Sequence, residues 1–507
     1  MLGRRVFFFL AAAALVALAA SVYLPAREQF DVAEPVVTGD QYRLQTVDCW
    51  FELDWRRSVR CARLHTPAQS GEFSLPVVVI EAENPTAATL PVLYLSGGPG
   101  DPGHTTADEM SNWLGWYERA GLTGDLVLVD RRGTGQSVPH LDCAAFTTFS
   151  RRILAKNIPL ESELSQGRAV LQDCLTQLQR QGFDLAHYGT RQSAEDLQAL
   201  MGALGYPRWH LFGVSYGTRL GLEILAQAPE SIASAVLDSV YPQGKGSLTE
   251  WPWLLNLSLK QLFQYCPDAP ECAMSPAAFE AKFWRALAAL KQRPLRLTVK
   301  SWRGEPPMPV VVNDYRLLAA VFDALYDRVL IERIPAALDA ALAHNAQGLM
   351  SLIEPFVNYA FDPQFNNMVF MAVECGEAPL VEEAEYADAV AAYPRLRPYT
   401  QDLWRFDTCR DWGAGKAAAA RLADTEDKPA NNRQAAAPLL LLAGGLDPIT
   451  PSVWAEELHR QRPGSQLLLF PKAGHSVVGN ADCAHGLLGD FYRQPRRPVS
   501  KARCPQP

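Results

Sequence analysis

The chain has no basic stripe: 47 Lys and Arg are outnumbered by 55 Asp and Glu, for a net charge of −8. A nucleic-acid binder needs clustered cations to displace counterions, so that class is excluded. No two cysteines form a C-x-x-C pair, which argues against a zinc knuckle or a thioredoxin-like redox site. There is no internal repeat and no long low-complexity tract. After the first two dozen residues, no segment has an apolar run comparable to the one at the N-terminus. What is present is a chain of 507 residues with 48% hydrophobic content. That content excludes wholesale disorder, and the length implies two or more structural units or one large α/β unit with an insertion.

Arg4 and Arg5 precede an uninterrupted apolar run from Val6 to Ala20, which ends near Ala17-Leu18-Ala19. A charged start, an apolar middle and a small-residue exit describe a signal peptide with an A-x-A cleavage pattern. Counted to Leu24, the same segment is long enough for an uncleaved membrane anchor. Residues 1–25 are therefore read as a signal peptide or an anchor. Either places the body outside the cytoplasm, periplasmic or secreted, touching a membrane only through this segment. No cysteine near the exit supports lipid attachment.

That compartment explains the ten cysteines, which an oxidising environment keeps as disulfides. Connectivity is not encoded in sequence, but short loops close most easily. Neighbour pairing is expected: Cys49 with Cys61, Cys143 with Cys174, Cys266 with Cys272, Cys375 with Cys409 and Cys483 with Cys504. Free buried thiols are the alternative.

Short continuous apolar runs recur at Leu75–Ile80, Pro91–Leu95, Asp125–Val129, Trp209–Phe212, Ser234–Leu237, Pro438–Leu442 and Gln466–Phe470. Such runs are expected of parallel strands buried on both faces. Helical patterns lie between them, at Ser193–Leu204 and Thr218–Gln227, which predicts a doubly wound, mostly parallel α/β sheet. The alternation stops near Val240 and resumes near Pro438. The interval is Ala-rich and reads as helical over Pro276–Gln292, Tyr315–Gly348 and Glu382–Ala391. The expected organisation is a core of residues 45–240, a helical cap inserted over 241–430, and the last part of the core over 431–507, entered through the polar linker 431–437.

Gly213-Val214-Ser215-Tyr216-Gly217 stands between a strand and a helix, the context of a nucleophile elbow. Serine alone is a poor nucleophile and needs a base oriented by a carboxylate. Asp447 follows the strand Pro438–Leu442 and His475 follows the strand Gln466–Phe470. Both thus emerge at the sheet edge where Ser215 emerges, in the order Ser, Asp, His. Asp238, at the end of another strand, is a rival acid. His485 and the remaining histidines default to structural roles, with His104 of interest beside the glycine loop. That loop, Ser96-Gly97-Gly98-Pro99-Gly100, follows a strand and can aim N–H groups at an oxyanion; Gly98 and Tyr216 are the nominated donors. Asp130 and Arg131 of Asp130–Ser137 are expected to brace the site floor through buried hydrogen bonds.

The blocks SGGPG, DRRGTGQS, GVSYGT, AGGLDPITP and AGHS, in that order, resemble the α/β-hydrolase peptidases that include prolyl and tripeptidyl aminopeptidases. The likeness covers residues 45–240 and 430–507, the latter as a TAP-like C-terminal region. GVSYGT and the cysteine-bearing C-terminal part look closer to the secreted tripeptidyl type. Ser96 and Tyr216 stand where the prolyl type usually has His and Trp, which speaks against prolyl specificity. The resemblance implies an α/β-hydrolase fold and serine exopeptidase action on peptides with a free N-terminus. It also implies acidic cap residues that hold the substrate's α-ammonium. In Val373-Glu374-Cys375-Gly376-Glu377, Glu377 and then Glu374 are the candidates, against the plain alternative of a solvated acidic loop. No metal and no organic cofactor is required by a Ser-His-Asp acyl-enzyme route. The same triad in an exported carboxylesterase or lipase, and a non-catalytic binding protein on a hydrolase scaffold, are the rival readings. Residue preference and oligomeric state are not legible.

Overall fold

The computed structural model describes residues 36–38, 42–52, 57–86, 89–413, 437–500 and 504. The apolar N-terminal run and residues 431–436 of the linker lie outside the described residues. Among those described, no helix is long and apolar enough to cross a membrane.

The first eight strands are β1 (Val36–Thr38), β2 (Tyr42–Val47), β3 (Val59–His65), β4 (Ser74–Ile80), β5 (Val92–Leu95), β6 (Leu126–Val129), β7 (Trp209–Val214) and β8 (Ile232–Asp238). Two more, β9 (Leu295–Val299) and β10 (Met308–Val312), pair only with each other; β11 (Leu439–Gly444) and β12 (Gln466–Phe470) follow. Among the described residues the main sheet has ten strands in the order β1-β2-β3-β4-β6-β5-β7-β8-β11-β12. From β6 to β12 every neighbouring pair is parallel.

Within each central strand, successive side chains enter opposite cores. Leu126 and Leu128 of β6 join one cluster, whereas Val127 and Val129 join the other. Leu440 and Leu442 separate from Leu441 in the same way. These side chains are fully buried, each contributing about 1.5–3 kcal/mol relative to exposure. That is why the strands read as unbroken apolar runs.

Two strand expectations change. Leu75–Ile80 is antiparallel to both β3 and β6, because it closes a meander that starts at β1. Burial on both faces produces the same composition in either direction, so the run could not report its orientation. The strands β2 and β3 were not anticipated at all, since their polar residues interrupt the apolar pattern.

Between β8 and β11 the chain leaves the sheet, and most of it forms a second hydrophobic core, whereas Met368, Val369, Ala372, Val373 and Cys375 join the core of the sheet. The helix Pro276–Gln292 matches its sequence pattern. The stretch expected to be helical over Tyr315–Gly348 is instead Asp314–Ala324, Arg328–Ile331, Ile334–Leu342 and the start of Ala346–Ala360. Asp327 and Asn345 interrupt it as N-caps, accepting from Val329 N and Gly348 N. The β9–β10 hairpin is a further departure from an all-helical insertion. Its alternating burial over Leu295–Val299 is the period-2 signal of a half-buried strand.

The ten cysteines pair as neighbours: Cys49–Cys61, Cys143–Cys174, Cys266–Cys272, Cys375–Cys409 and Cys483–Cys504. Their Cα separations run from 4.6 Å at Cys375–Cys409 to 5.7 Å at Cys143–Cys174, inside the disulfide range.

Candidate active site

Ser215 sits between β7 and the helix Tyr216–Gln227 with φ 54° and ψ −121°. A serine in that conformation stores on the order of 1–3 kcal/mol of strain, which the surroundings must impose. The flanking glycines show how. A Cβ on Gly217 would lie 2.0 Å from the Leu95 carbonyl oxygen, and one on Gly213 2.6 Å from that of Gly217. The turn can therefore close only with glycine at both places. Thr218 caps it, donating from N and Oγ1 to the Ser215 carbonyl at 2.9 and 2.7 Å.

His475 and Asp447 meet at the end of β11 and β12. The His475 Nδ1 donates to Asp447 Oδ1 and Oδ2, each at 3.0 Å, which leaves Nε2 as the lone-pair nitrogen. Asp447 also accepts from Ile449 N, Thr450 N and Thr450 Oγ1. Burial alone pushes its carboxyl up, but the imidazole and the Thr450 donors hold it below its ordinary value. It is thus a buried anion fixed in orientation. Among the described residues, Ser215 Oγ makes no hydrogen bond to His475.

Asp238, the rival acid, faces elsewhere. Its Oδ1 accepts from Val477 N and its Oδ2 from Val478 N, both at 2.8 Å, while Ser239 Oγ accepts from Ser476 N. The Asp238–Ser239 pair ties the histidine loop to the sheet. Burial pushes the Asp238 carboxyl up to about 6, against the pull of its two N–H donors.

The glycine loop lies across from the elbow. A Cβ on Gly97 would come 3.4 Å from Ser215 Cβ, whereas Gly98, at φ +40°, faces the cap residue Phe365. Neither Gly98 N nor Tyr216 N donates to another described residue, while the Gly98 carbonyl is drawn away by Arg131 Nη2 at 3.2 Å. Arg131 also donates to Ser96 Oγ and the Asp101 carbonyl, and its guanidinium lies over the Tyr216 ring. Asp130 accepts from Gly103 N, Thr105 Oγ1 and Gln136 N. Both residues brace the loop, as their motif led one to expect. His104 joins the loop to the cap through Gln364 Oε1 at 3.1 Å. Burial favours its neutral form, yet Asp101 and Gln364 hold it up at about 9. His485 is buried against the Asp482 carbonyl.

Glu374 and Glu377 both converge on Arg219, four residues after Ser215 and buried in the nucleophile helix. Arg219 Nη1 lies 3.7 Å from Glu374 Oε2 and 3.6 Å from Glu377 Oε2. Glu374 further accepts from Tyr241 OH, and Glu377 from Thr190 N. Glu377 is 4% exposed and Glu374 20%, so neither belongs to a solvated acidic loop. Burial and the neighbouring Glu377 raise the Glu374 carboxyl, opposed by Arg219. Sequence reading missed Arg219; its one signal was a cation on the otherwise apolar face of that helix. It also missed Tyr326, whose ring centroid lies 4.7 Å from that of His475. Nothing in the local sequence marks that contact.

Comparison with known proteins matches residues 91–265 to the alpha/beta hydrolase fold model and residues 399–504 to the TAP-like protein model. The first span contains Gly98, Ser215 and Tyr216, and the second Asp447 and His475; Glu374 and Glu377 fall between. The tripeptidyl aminopeptidase of Streptomyces lividans is 24% identical over 403 residues, covering 76% of this chain and 71% of that protein. The serine protease Hip1 of Mycobacterium tuberculosis is 24% identical over 436 residues, covering 80% and 79%.

Proposed function

The chain has the α/β-hydrolase fold with a TAP-like C-terminal segment, and from that premise we propose that it is an exported serine aminopeptidase. The observation that carries the chemistry is the His475–Asp447 pair beside the Ser215 elbow. His475 Nε2 takes the proton of Ser215 Oγ as the oxygen attacks the scissile carbonyl. The N–H groups of Tyr216 and of the glycine loop, with Gly98 as the donor there, stabilise the oxyanion. The protonated imidazole then gives its proton to the leaving amine, and the C–N bond breaks. Water opens the acyl-enzyme by the reverse sequence, and Asp447 holds the tautomer throughout.

Exopeptidase action is supported by the charge of the cap cluster. Two carboxylates, Glu374 and Glu377, gather at Arg219 of the nucleophile helix, and Glu374 keeps part of its surface open. An arriving α-ammonium meets the more exposed Glu374 first, in a charge-assisted hydrogen bond. Export is supported by the five disulfides and by the N-terminal pattern of residues 1–25.

The test compares a tripeptide p-nitroanilide bearing a free amine with its N-acetylated form. A loss of kcat/KM of at least about tenfold on acetylation is expected, the worth of one charge-assisted hydrogen bond. Equal rates for the two substrates eliminate the aminopeptidase reading, and turnover of esters alone points to a carboxylesterase.

A further inference from the structure

The loop that carries His475 is joined to the cap by one amide. Asn480 ends the short helix Val477–Asn480. Its Nδ2 donates to the carbonyls of His475 at 2.7 Å, Ser476 at 2.9 Å and Tyr326 at 3.0 Å. Its Oδ1 accepts from Arg328 N at 2.7 Å and Gly474 N at 3.2 Å. Three of these partners belong to the histidine loop and two, Tyr326 and Arg328, to the cap where the turn after the helix Asp314–Ala324 enters the helix Arg328–Ile331. The amide offers donor and acceptor together, and neither a carboxylate nor an aliphatic group reproduces the set.

The two segments also pack without a gap. A Cβ on Gly474 would lie 2.2 Å from the Leu325 carbonyl oxygen. The Tyr326 ring meets the His475 ring at a centroid distance of 4.7 Å and an interplanar angle of 57°. From below, Asp238 and Ser239 hold Ser476, Val477 and Val478 to the sheet. The loop is thus clamped between sheet and cap, and the upper clamp is Asn480.

We infer that Asn480 is a positioning residue that couples the seating of the cap to the orientation of His475, with the Tyr326 ring transmitting the contact. This rests on the reading of His475 as the general base. A base turned by a fraction of an ångström still folds and still binds, but takes the serine proton more slowly. The consequence therefore falls on the chemical step, in the labelling rate of Ser215 and in kcat, and leaves KM nearly unmoved.

The experiment uses the full, disulfide-bonded protein and the variants Asn480→Leu, Asn480→Asp, Tyr326→Ala and the double variant Asn480→Leu/Tyr326→Ala. Asn480→Asp keeps the acceptor for Gly474 and Arg328 but removes both donors, so it serves if the Leu variant does not fold. Read out are the rate of Ser215 labelling by a fluorophosphonate, kcat and KM for the free-amine tripeptide p-nitroanilide, and Tm. Each single variant is expected to slow labelling and kcat on the order of tenfold or more, with KM within about twofold. The double variant should lose clearly less than the product of the two single losses, since both break one connection. Asn480 variants that lose Tm yet label at the wild-type rate overturn the inference, as do fully multiplicative effects. A wild-type protein that does not label at Ser215 overturns instead the catalytic reading beneath it.

Discussion

The Ser215 N–H donates to the carbonyl of Asp238 at 2.9 Å. The carboxylate of the same Asp238 accepts the Val477 and Val478 amides two and three residues after His475. One residue at the end of β8 therefore sets the spacing between the candidate nucleophile and the loop of its candidate base. The acid that the strand pattern offered as a rival to Asp447 is better understood as the frame between them.

Asp238→Asn should lower kcat by about tenfold, because the new NH₂ faces an N–H and leaves one donor unsatisfied. It should also change the pH dependence of stability. The native carboxyl titrates near 6 and the unfolded one near 3.8. Through that window the native state keeps a proton that the unfolded state releases, so this group's contribution is present below 3.8 and lost as pH rises through 6. Urea midpoints from pH 4 to 7 should fall less steeply for the Asn variant; identical slopes refute the assignment.

Asp447→Asn should cut kcat by about 10³–10⁴ while leaving KM nearly unchanged, as expected when the wrong imidazole tautomer is held. The Asp447 carboxyl lies below its ordinary 3.8. Its stabilising share is therefore complete above 3.8 and lost as pH falls through its native value. The wild type should lose more of its stability than the variant on going from pH 5 to pH 2. Circular dichroism melts across that range read the difference directly.

Glu374→Gln should raise KM for the free-amine tripeptide substrate by about tenfold, a loss of roughly 1.5 kcal/mol of charge-assisted hydrogen bonding. The N-acetylated substrate should be unaffected. An equal change for both would assign Glu374 to holding Arg219 and Tyr241 in place, not to the amine.

The pair Cys375→Ser/Cys409→Ser should cost about 2–4 kcal/mol, since the bridge closes a sequence separation of 34 residues. Cys375 lies between Glu374 and Glu377 on the helix Asn367–Glu377. Loosening it should therefore raise KM more than it lowers kcat. A stability loss with kinetic constants unchanged would separate the bridge from the cap acids.

Much of the molecule is legible in its sequence. The buried strands from Val92–Leu95 to Leu439–Gly444 announce themselves because both faces are apolar, whereas the edge strand Gln466–Phe470 is apolar in sequence but leaves Leu469 exposed. The elbow is legible because two glycines are sterically forced around Ser215. The parts that were not legible are relational. The direction of β4, the breaks at Asp327 and Asn345, and the polar-interrupted strands β2 and β3 depend on partners far away in sequence. Glu374 and Glu377 could be named as acids, but their meeting with Arg219 could not, because it brings a cap helix onto the nucleophile helix across more than a hundred residues.

Residue chemistry and local pattern thus determined the strand–helix alternation, the glycine turns and the identities of Ser215, Asp447 and His475 as candidates. Those are properties of neighbours along the chain, governed by sterics and by burial of a periodic face. Tertiary structure decided which acid faces His475, which cation meets the cap acids, and that Asn480 and Tyr326 tie the cap to the histidine loop. Each of those is a hydrogen bond or ring contact of a few ångströms between segments that come together only when the sheet and the cap pack. No short-range pattern encodes such a distance.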